Sequence, residues 1–350
     1  MTMQTILYTN DVASAIKKLV DELSPVSVHI ITDENVERDV LPLLNLDYPR
    51  ICVKAGDENK NLESLSQIWA GLIEQNATRH SLVINIGGGV VTDMGGFAAA
   101  TFKRGIRFIN VPTTLLSAVD AAVGGKTGIN FEGFKNEIGA FAPADAVVIS
   151  TILFQSLPRE ELLSGYAEML KHGLLSSREA YTELLEFDIV NADMPSLLPL
   201  LEKSVKVKEH IVEIDPKEKG LRRALNLGHT AGHAFEGMAL KRHSQMPHGY
   251  AVAYGMLVEM ILSHLAEGYP SQELYRYADY LKAHSYGAPA ISCDDYDALV
   301  EFMRHDKKNA TRDAINFTLL AEPGTPLIDR TASTEEIKAA LDIFRDLMGI

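Results

Sequence analysis

The first 150 residues alternate between short β-rich runs and segments with the apolar period of a helix. The helical patterns cover 12–23, 61–76 and 92–101. The β-rich runs are Thr5–Thr9, Ser27–Thr32, Arg50–Lys54, Ser81–Ile86, Arg107–Val111 and Ala146–Ser150. Because parallel strands are buried on both faces, they can be continuously apolar, as the run LVINI is. The alternation predicts an α/β domain with a mostly parallel, Rossmann-like sheet.

After residue 151 the pattern changes to long segments with a 3.6-residue period. These segments are Arg159–Ser176, Met194–Ile214, Leu225–Met238, Gly249–Glu267, Gln272–His284, Tyr296–Asn309 and Thr334–Met348. Only Ile315–Leu320 still has a clear β pattern. We therefore expect an α/β domain at 1–151 and an all-helical domain at 152–350, with the active site in the cleft between them.

Composition narrows the class of protein. The 350 residues are 46% hydrophobic and 23% charged, as in globular proteins. Lys and Arg total 33 against 47 Asp and Glu, a net charge of −14 that argues against nucleic acid and anionic membranes as partners. Only two cysteines occur and no CxxC, so a disulfide framework and a thiolate zinc site are not expected. Without a signal-peptide pattern, the sequence favours a cytoplasmic protein.

A glycine-rich turn follows the fourth predicted strand, in LVINIGGGVVTDMGG (82–96). Glycines let the backbone approach a diphosphate closely, and the following helix offers free N–H groups. Thr92 stands where the third glycine of GxGxxG would be, so a simple tight turn between strand and helix fits equally well. Asp33 and Asn35, after the second strand, could hold a ribose hydroxyl or simply cap a helix.

A second glycine-rich segment, AVGGKTGIN (122–130), is not a Walker A motif, because Asp120 stands at the position of its first glycine. The segment instead predicts a glycine loop presenting Lys126 near Asp120, Lys135 and Asn136. Two lysines and an asparagine around glycines are typical of an oxyanion cradle, although a single lysine is more often solvated surface.

Four residues are candidate metal ligands. His229 and His233 are four apart and share a helical face, His248 begins the next helix, and Glu168 lies in an otherwise apolar helix. Two histidines and one carboxylate leave an open coordination position, as in catalytic zinc sites. Spacing alone does not decide which histidine is not a ligand, and a pair of helical histidines can also be purely structural.

A set of basic residues stands out in this acidic chain. It comprises Lys126, Lys135, Lys171, Lys208, Arg222, Lys307 and Lys308. Any one of them could be solvated surface. Together, beside the glycine loops and the histidines, they indicate a small ligand bearing phosphate or carboxylate groups.

Six motifs in order resemble the 3-dehydroquinate synthase family: GGGVVTDMGGFAAATFKRGI, VPTTLLSAVDAAVGGKTGIN, GYAEMLKHG, LNLGHTAGHAFE, HGYAVAYGM and HDKKN. They span about Asp33 to Asn309. The family belongs to the sugar-phosphate cyclases and is related in fold to metal-dependent glycerol dehydrogenases. The resemblance implies NAD, one Zn²⁺ (or Co²⁺), a homodimer, and a phosphorylated keto acid as substrate. That substrate, 3-deoxy-D-arabino-heptulosonate 7-phosphate, would yield 3-dehydroquinate and phosphate in the shikimate pathway of aromatic amino-acid biosynthesis.

The resemblance also assigns roles to residues. It implies that Glu168, His229 and His248 bind the metal and that His233 handles protons. The catalytic positions it implies are Lys126, Lys171, His233, Asp120 and Asn226. Those for the substrate are Arg104 (donated across the dimer), Lys126, Lys135, Asn136, Lys208, Arg222, Asn226 and Lys307 or Lys308. Those for NAD are Asp33, Asn35, Asp57, Lys60, Gly88, Gly89, Asp93, Thr113, Thr114, Lys135 and Ser156.

Three other functions remain open at this point. A polyol or glycerol dehydrogenase would accumulate NADH and needs no cationic site. Another sugar-phosphate cyclase would act on a substrate without a carboxylate, so it would not need Lys208, Arg222 and Asn226. A non-catalytic nucleotide-binding protein would bind NAD without stoichiometric zinc.

Overall fold

The chain divides into two compact units in a computed structural model, which describes residues 4–132, 134–284, 286–305 and 315–350. The first unit is Met1–Pro158 with Asp193–Val205, and the second is Arg159–Ala192 with Lys206–Ile350. The sequence pattern placed the boundary after residue 151, seven residues earlier than this division.

The first unit contains a parallel sheet flanked by helices. Its strands are β1 (Thr5–Tyr8), β2 (Val28–Asp33), β3 (Arg50–Val53), β4 (Leu82–Gly87), β5 (Arg107–Pro112), β6 (Lys126–Phe131), β7 (Phe134–Phe141) and β8 (Ala146–Ile149). Its helices are α1 (Val12–Leu23), α2 (Glu34–Asp39), α3 (Leu41–Leu44), α4 (Leu62–Glu74) and α5 (Gly89–Thr101).

Six strands form one sheet in the order β1-β8-β5-β4-β2-β3, and all neighbours are parallel. These are the six strands that the sequence predicts, so the predicted fold class of this unit is confirmed. The register pairs Ile31 with Asn85 and Gly87 with Pro112, so β2, β4 and β5 end side by side. The strand order reverses between β2 and β4, and ligands of open α/β sheets bind at such a point, beyond the carboxyl ends of the strands.

A two-stranded antiparallel hairpin, β6 and β7, was not predicted from the sequence. It pairs Lys126 with Phe141 and Gly128 with Gly139, in the segment that the sequence pattern assigned to a glycine loop. Strand β7 is exposed along almost its whole length, with Phe134 at 67%. A strand that buries no face carries no alternation of apolar and polar residues, so periodicity could not indicate it.

The second unit is mostly helical. Its helices are α6 (Arg159–Ser176), α7 (Arg178–Glu186), the end of α8 (Met194–Ile214), α9 (His229–Lys241), α10 (His248–Glu267), α11 (Ser271–Ala283), α12 (Tyr296–Arg304) and α13 (Thr334–Met348). A hairpin of β9 (Ile315–Glu322) and β10 (Thr325–Ala332) lies between α12 and α13 in sequence. The predicted helical character is confirmed. The second strand of the hairpin was missed because it is mainly exposed and contains Pro326, Asp329 and Arg330.

Helix α9 begins later than its apolar period suggests. Residues Leu221–Asn226 form a 3₁₀ segment, so the helix starts at His229 rather than near Leu225. His229 is therefore the first residue of α9, as His248 is the first of α10. Both candidate ligands are thus the first residues of their helices, where no preceding helical turn restricts the side chain.

Helix α10 is apolar on all sides and lies in the core of the second unit. By length and composition alone it could cross a membrane, but 78% of its apolar window is buried within the fold. A helix that is hydrophobic all round is expected either in a membrane or in a core, and the burial of α10 fits a core helix.

Two glycines of α10 allow its close approach to the other helices that carry candidate ligands. A Cβ on Gly249 would lie 1.8 Å from the Ser164 carbonyl oxygen of α6, and one on Gly255 would lie 2.0 Å from the Gly228 carbonyl oxygen. The Gly249 N–H also donates to Ser164 Oγ at 3.0 Å. Helices α6, α9 and α10 are thus held together close to Glu168, His229 and His248.

We expect Gly249→Ala to lower the free energy of unfolding by about 1–3 kcal/mol or more, because the added methyl overlaps backbone that can yield only by separating α10 from α6. Gly89→Ala is the matched control, since it also stands at a helix start and its Cβ would be 3.5 Å from Ala121 Cβ, an ordinary contact. Urea unfolding of both variants measures the difference. Equal stability of the two variants would contradict the proposed close packing.

Candidate metal centre and cofactor site

Three potential ligand atoms converge in the second unit. Glu168 Oε1 lies 3.6 Å from His229 Nε2 and 3.7 Å from His248 Nε2. One ligand atom from each of the three residues lies within 4.8 Å of the others. The three residues are far apart in sequence, on α6, α9 and α10, so the site exists only in the folded second unit.

These separations fit a shared metal ion better than direct hydrogen bonds. A distance of 3.6 Å is too long for a hydrogen bond. Ligand atoms about 2.0–2.1 Å from a tetrahedral zinc are about 3.4 Å apart, close to the observed distances. Glu168 is 0% exposed, and its Oε1 accepts no hydrogen bond from any described residue. A buried carboxylate oxygen without a donor is costly, and a cation between it and the two imidazoles would satisfy it.

Each histidine is oriented through its other ring nitrogen. His229 Nδ1 lies 3.1 Å from the Leu227 carbonyl oxygen, and His248 Nδ1 lies 3.4 Å from Glu236 Oε1. An Nδ1–H that donates to such a group leaves Nε2 deprotonated and directed at the centre, as in most metal-bound histidines. The sequence analysis did not identify Glu236, although it is seven residues after His229 on the same helix.

The second oxygen of Glu168 is held by a lysine. Lys171, one helical turn later and 1% exposed, donates from Nζ to Glu168 Oε2. This ion pair fixes the carboxylate and leaves Oε1 directed at the histidines. The predicted Lys171 therefore lies in direct contact with one of the three candidate ligands.

His233 lies beside the three converging residues but is not part of them. Its ring centroid is 5.6 Å from that of His229 and 6.2 Å from that of His248. The four-residue spacing does put His229 and His233 on one face of α9, yet the arrangement pairs His229 with His248 and Glu168 as potential ligands.

Other predicted residues of the second unit lie on α8 and in the segment before α9. Lys208 and Arg222 are buried, and the Arg222 guanidinium donates to the Pro216 carbonyl oxygen at 3.0 Å. Asn226 Nδ2 donates to Glu218 Oε1 at 3.1 Å. Lys307 and Lys308 lie outside the described residues.

Asp215 gives this segment its shape, a role that the sequence analysis missed. Its carboxylate accepts the backbone N–H groups of Lys219, Gly220 and Arg222. Hydrogen bonding from the Lys219 amide is the main reason that the pKa of Asp215 lies below its usual value. An Asp followed by a glycine turn is the local signal that could have indicated it.

In the first unit, five predicted residues form two groups of contacts, and each group includes one residue of β7. Lys60, 5% exposed at its side chain, donates to Asp93 Oδ2 at 2.6 Å and to Asn136 Oδ1. Lys135 Nζ lies 3.2 Å from Asp57 Oδ2 in a more exposed pair. Predicted NAD and substrate residues from distant parts of the sequence thus lie in contact.

Further predicted residues lie at the carboxyl ends of the strands. Asp33 accepts the N–H groups of Asn35 and Val36 at 3.0 Å each and thereby caps α2. The sequence analysis gave such a helix cap as the alternative to a contact with a ribose hydroxyl. Gly88 is the N-cap residue of α5 and Gly89 its first residue. The Thr113 N–H donates to the Gly87 carbonyl oxygen, and Thr114 Oγ1 accepts the Ser117 N–H at 3.1 Å.

The remaining predicted residues of the first unit are more scattered. Asp120 is in a π-helical turn (Ser117–Ala121), and Lys126 is the exposed first residue of β6 rather than part of a loop. Arg104 and Ser156 are both exposed.

Comparison with known proteins gives consistent matches. Residues 50–164 match the family model described as 3-dehydroquinate synthase N-terminal, and 165–309 match the one described as 3-dehydroquinate synthase C-terminal. A 3-dehydroquinate synthase of Parabacteroides distasonis is 46% identical over 355 residues, covering 100% of both chains. One of Clostridium tetani is 37% identical, covering 89% of this chain and 84% of the relative.

Solved structures show the same fold at lower identity. A 2-deoxy-scyllo-inosose synthase, complexed with carbaglucose-6-phosphate, NAD⁺ and Co²⁺, has a TM-score of 0.85 at 22% identity, over 97% of this chain and 96% of that one. A 2-epi-5-epi-valiolone synthase of Streptomyces hygroscopicus, with NAD⁺ and Zn²⁺ bound, has a TM-score of 0.80 at 24% identity, over 99% and 98%.

We expect His229→Ala to abolish tight, stoichiometric Zn²⁺ binding, because it removes one of three converging ligand atoms, whereas His233→Ala keeps it. Competition with a chromophoric chelator measures both affinities. Normal zinc binding by His229→Ala, or a loss confined to His233→Ala, would show that the ligand set is wrong.

Proposed function

The chain belongs to the 3-dehydroquinate synthase family, and from this membership we propose that it converts 3-deoxy-D-arabino-heptulosonate 7-phosphate to 3-dehydroquinate and phosphate. This is a carbon–oxygen lyase reaction of aromatic amino-acid biosynthesis, dependent on NAD and a divalent metal. The observation that carries the proposal is the buried Glu168 oxygen facing His229 and His248. A family member built for this reaction needs such a centre, whereas a non-catalytic nucleotide-binding protein does not.

We assign NAD to residues of the first unit. Asp33, at the end of β2, and the glycine turn after β4 stand where the sheet reverses its strand order. Asp93, in the helix that follows the turn, forms an ion pair with Lys60. When bound there, NAD would supply reversible hydride transfer, with no net oxidation of the substrate over one cycle. The solved cyclases with NAD⁺ bound support this assignment.

We assign a Zn²⁺ or Co²⁺ ion to Glu168, His229 and His248. Such an ion lowers the pKa of a substrate hydroxyl and so favours the departure of hydride from the same carbon. Lys171 fixes the carboxylate of Glu168 through its ion pair. We assign proton exchange with the substrate to His233, whose ring centroid is 5.6 Å from that of His229.

We assign the substrate carboxylate and phosphate to the basic residues. Lys208, Arg222 and Asn226 favour a substrate that carries a carboxylate. Arg222 is 2% exposed, so an anion there would meet a guanidinium that water screens little. We also assign contacts with the anionic groups of the substrate to the predicted Lys126, Lys135 and Asn136. Fixed charged groups orient the substrate and lower the entropic cost of reaching the reactive geometry.

We further propose a soluble, cytoplasmic homodimer. Arg104 is exposed within its own chain, which fits an arginine that acts on the partner's substrate. The buried position of the apolar helix α10 supports the proposal that the protein is not membrane-bound.

Phosphate release from the heptulosonate substrate tests the function. We expect one phosphate per dehydroquinate, no accumulation of NADH at 340 nm, and loss of activity after dialysis against EDTA that Zn²⁺ restores. NADH accumulation with a polyol and no phosphate release would identify a dehydrogenase instead. Undiminished activity after complete metal removal would exclude the proposed centre.

We expect Arg222→Ala to lower kcat/KM about 10- to 100-fold, the loss of a charge-assisted hydrogen bond of about 1.5–3 kcal/mol. Arg223→Ala is the matched control, since its guanidinium pairs with Asp329 in a half-exposed bridge. Steady-state kinetics compare the two variants, and circular dichroism shows that both are folded. Near-normal kinetics of Arg222→Ala would remove this residue from the anion site.

A further inference from the structure

A second buried carboxylate lies in the middle of α10, where the mechanism assigns it no role. Glu259 is 0% exposed and is surrounded by apolar residues of the helix. Its Oε2 accepts the Gly228 N–H at 2.7 Å, and its Oε1 accepts the N–H groups of Thr230 at 3.1 Å and Ala231 at 3.3 Å.

These three amides belong to residues on both sides of His229 in the sequence. They belong to the N-cap residue and the first turn of α9, where helical N–H groups have no partner within the helix. Such groups are usually satisfied by the side chain of the N-cap residue. Here the N-cap residue is Gly228, so a carboxylate from the neighbouring helix takes over that function.

The same helix that carries Glu259 begins with His248. Helix α10 therefore contributes one candidate ligand itself and holds the backbone that carries a second one. The contact is tight, since Gly255, one turn before Glu259, leaves no room for a Cβ against the Gly228 carbonyl oxygen. A shift of the start of α9 relative to α10 would change the distance between His229 Nε2 and the other two ligand atoms.

We propose that Glu259 is a positioning residue of the metal centre, which fixes the backbone on both sides of His229 and thereby the direction of its imidazole. The inference rests on the proposed function, because it takes His229 as a metal ligand. Glu259 is about three turns along α10 from His248 and acts through the backbone of α9 rather than on the ion.

A carboxylate is suited to this position for an electrostatic reason. Its negative charge faces the positive end of the α9 dipole and three N–H donors. Burying a charge is costly, and these donors compensate it only while the start of α9 stays in place. Glutamine has the same shape, but its side-chain NH₂ group would face a backbone N–H group of α9, and two donors cannot form a hydrogen bond.

The test compares Glu259→Gln with Ser263→Ala. Ser263 lies one turn further along α10, donates to the Glu259 carbonyl oxygen and accepts the Leu320 N–H, and is also fully buried. Removal of the Ser263 hydroxyl destabilises the same helix but removes no hydrogen bond to the start of α9. Metal-free forms of both variants and of the unmodified protein are titrated with Zn²⁺, and the visible absorption spectrum is recorded with Co²⁺ bound.

We expect Glu259→Gln to bind Zn²⁺ about 10- to 100-fold more weakly and to have an altered Co²⁺ spectrum, while Ser263→Ala matches the unmodified protein in both. If Glu259→Gln does not fold, Glu259→Asp, which keeps the charge but reaches one methylene less far, replaces it in the same comparison. Unchanged zinc affinity and Co²⁺ spectrum of the Glu259 variant, or equal losses in both variants, would overturn the proposal. If the unmodified protein itself binds no Zn²⁺, the proposed function fails instead.

Discussion

A carboxylate buried away from water and facing two imidazole nitrogens is the interaction on which the second unit depends. Glu168 Oε1 receives no hydrogen bond from the described residues, and the Nε2 atoms of His229 and His248 lie 3.6 and 3.7 Å from it. Isolated, such a group would destabilise the fold. Its other oxygen is neutralised by Lys171, and a divalent ion is the partner that satisfies all three ligand atoms at once.

The surrounding structure is arranged to keep those atoms in place. The Leu227 carbonyl oxygen and Glu236 hold the outer nitrogens of the two histidines, and close glycine contacts hold α10 against α6 and α9. Because the three helices come from distant parts of the sequence, the geometry of the centre depends on correct packing of the second unit. Stability and metal binding are therefore expected to be coupled in this protein.

Much of the fold and part of the site could be predicted from the sequence. Short β-rich runs between helical patterns predicted all six strands of the parallel sheet, and helical periodicity predicted the second unit. Strands β7 and β10 escaped because neither has a buried residue, so neither carries an alternation of apolar and polar positions. Spacing found the four candidate ligands but could not choose among them, since His248 approaches Glu168 only through tertiary packing. Glu236 and Glu259 were missed for the same reason, as Glu259 contacts an amide 31 residues away.

Zinc-edge anomalous diffraction from crystals of the zinc-loaded protein tests the central claim most directly. One strong peak is expected, about 2.0–2.2 Å from a Glu168 oxygen and from the Nε2 atoms of His229 and His248. A peak bound by His233 in place of His248, or no ordered zinc beside Glu168, would contradict it.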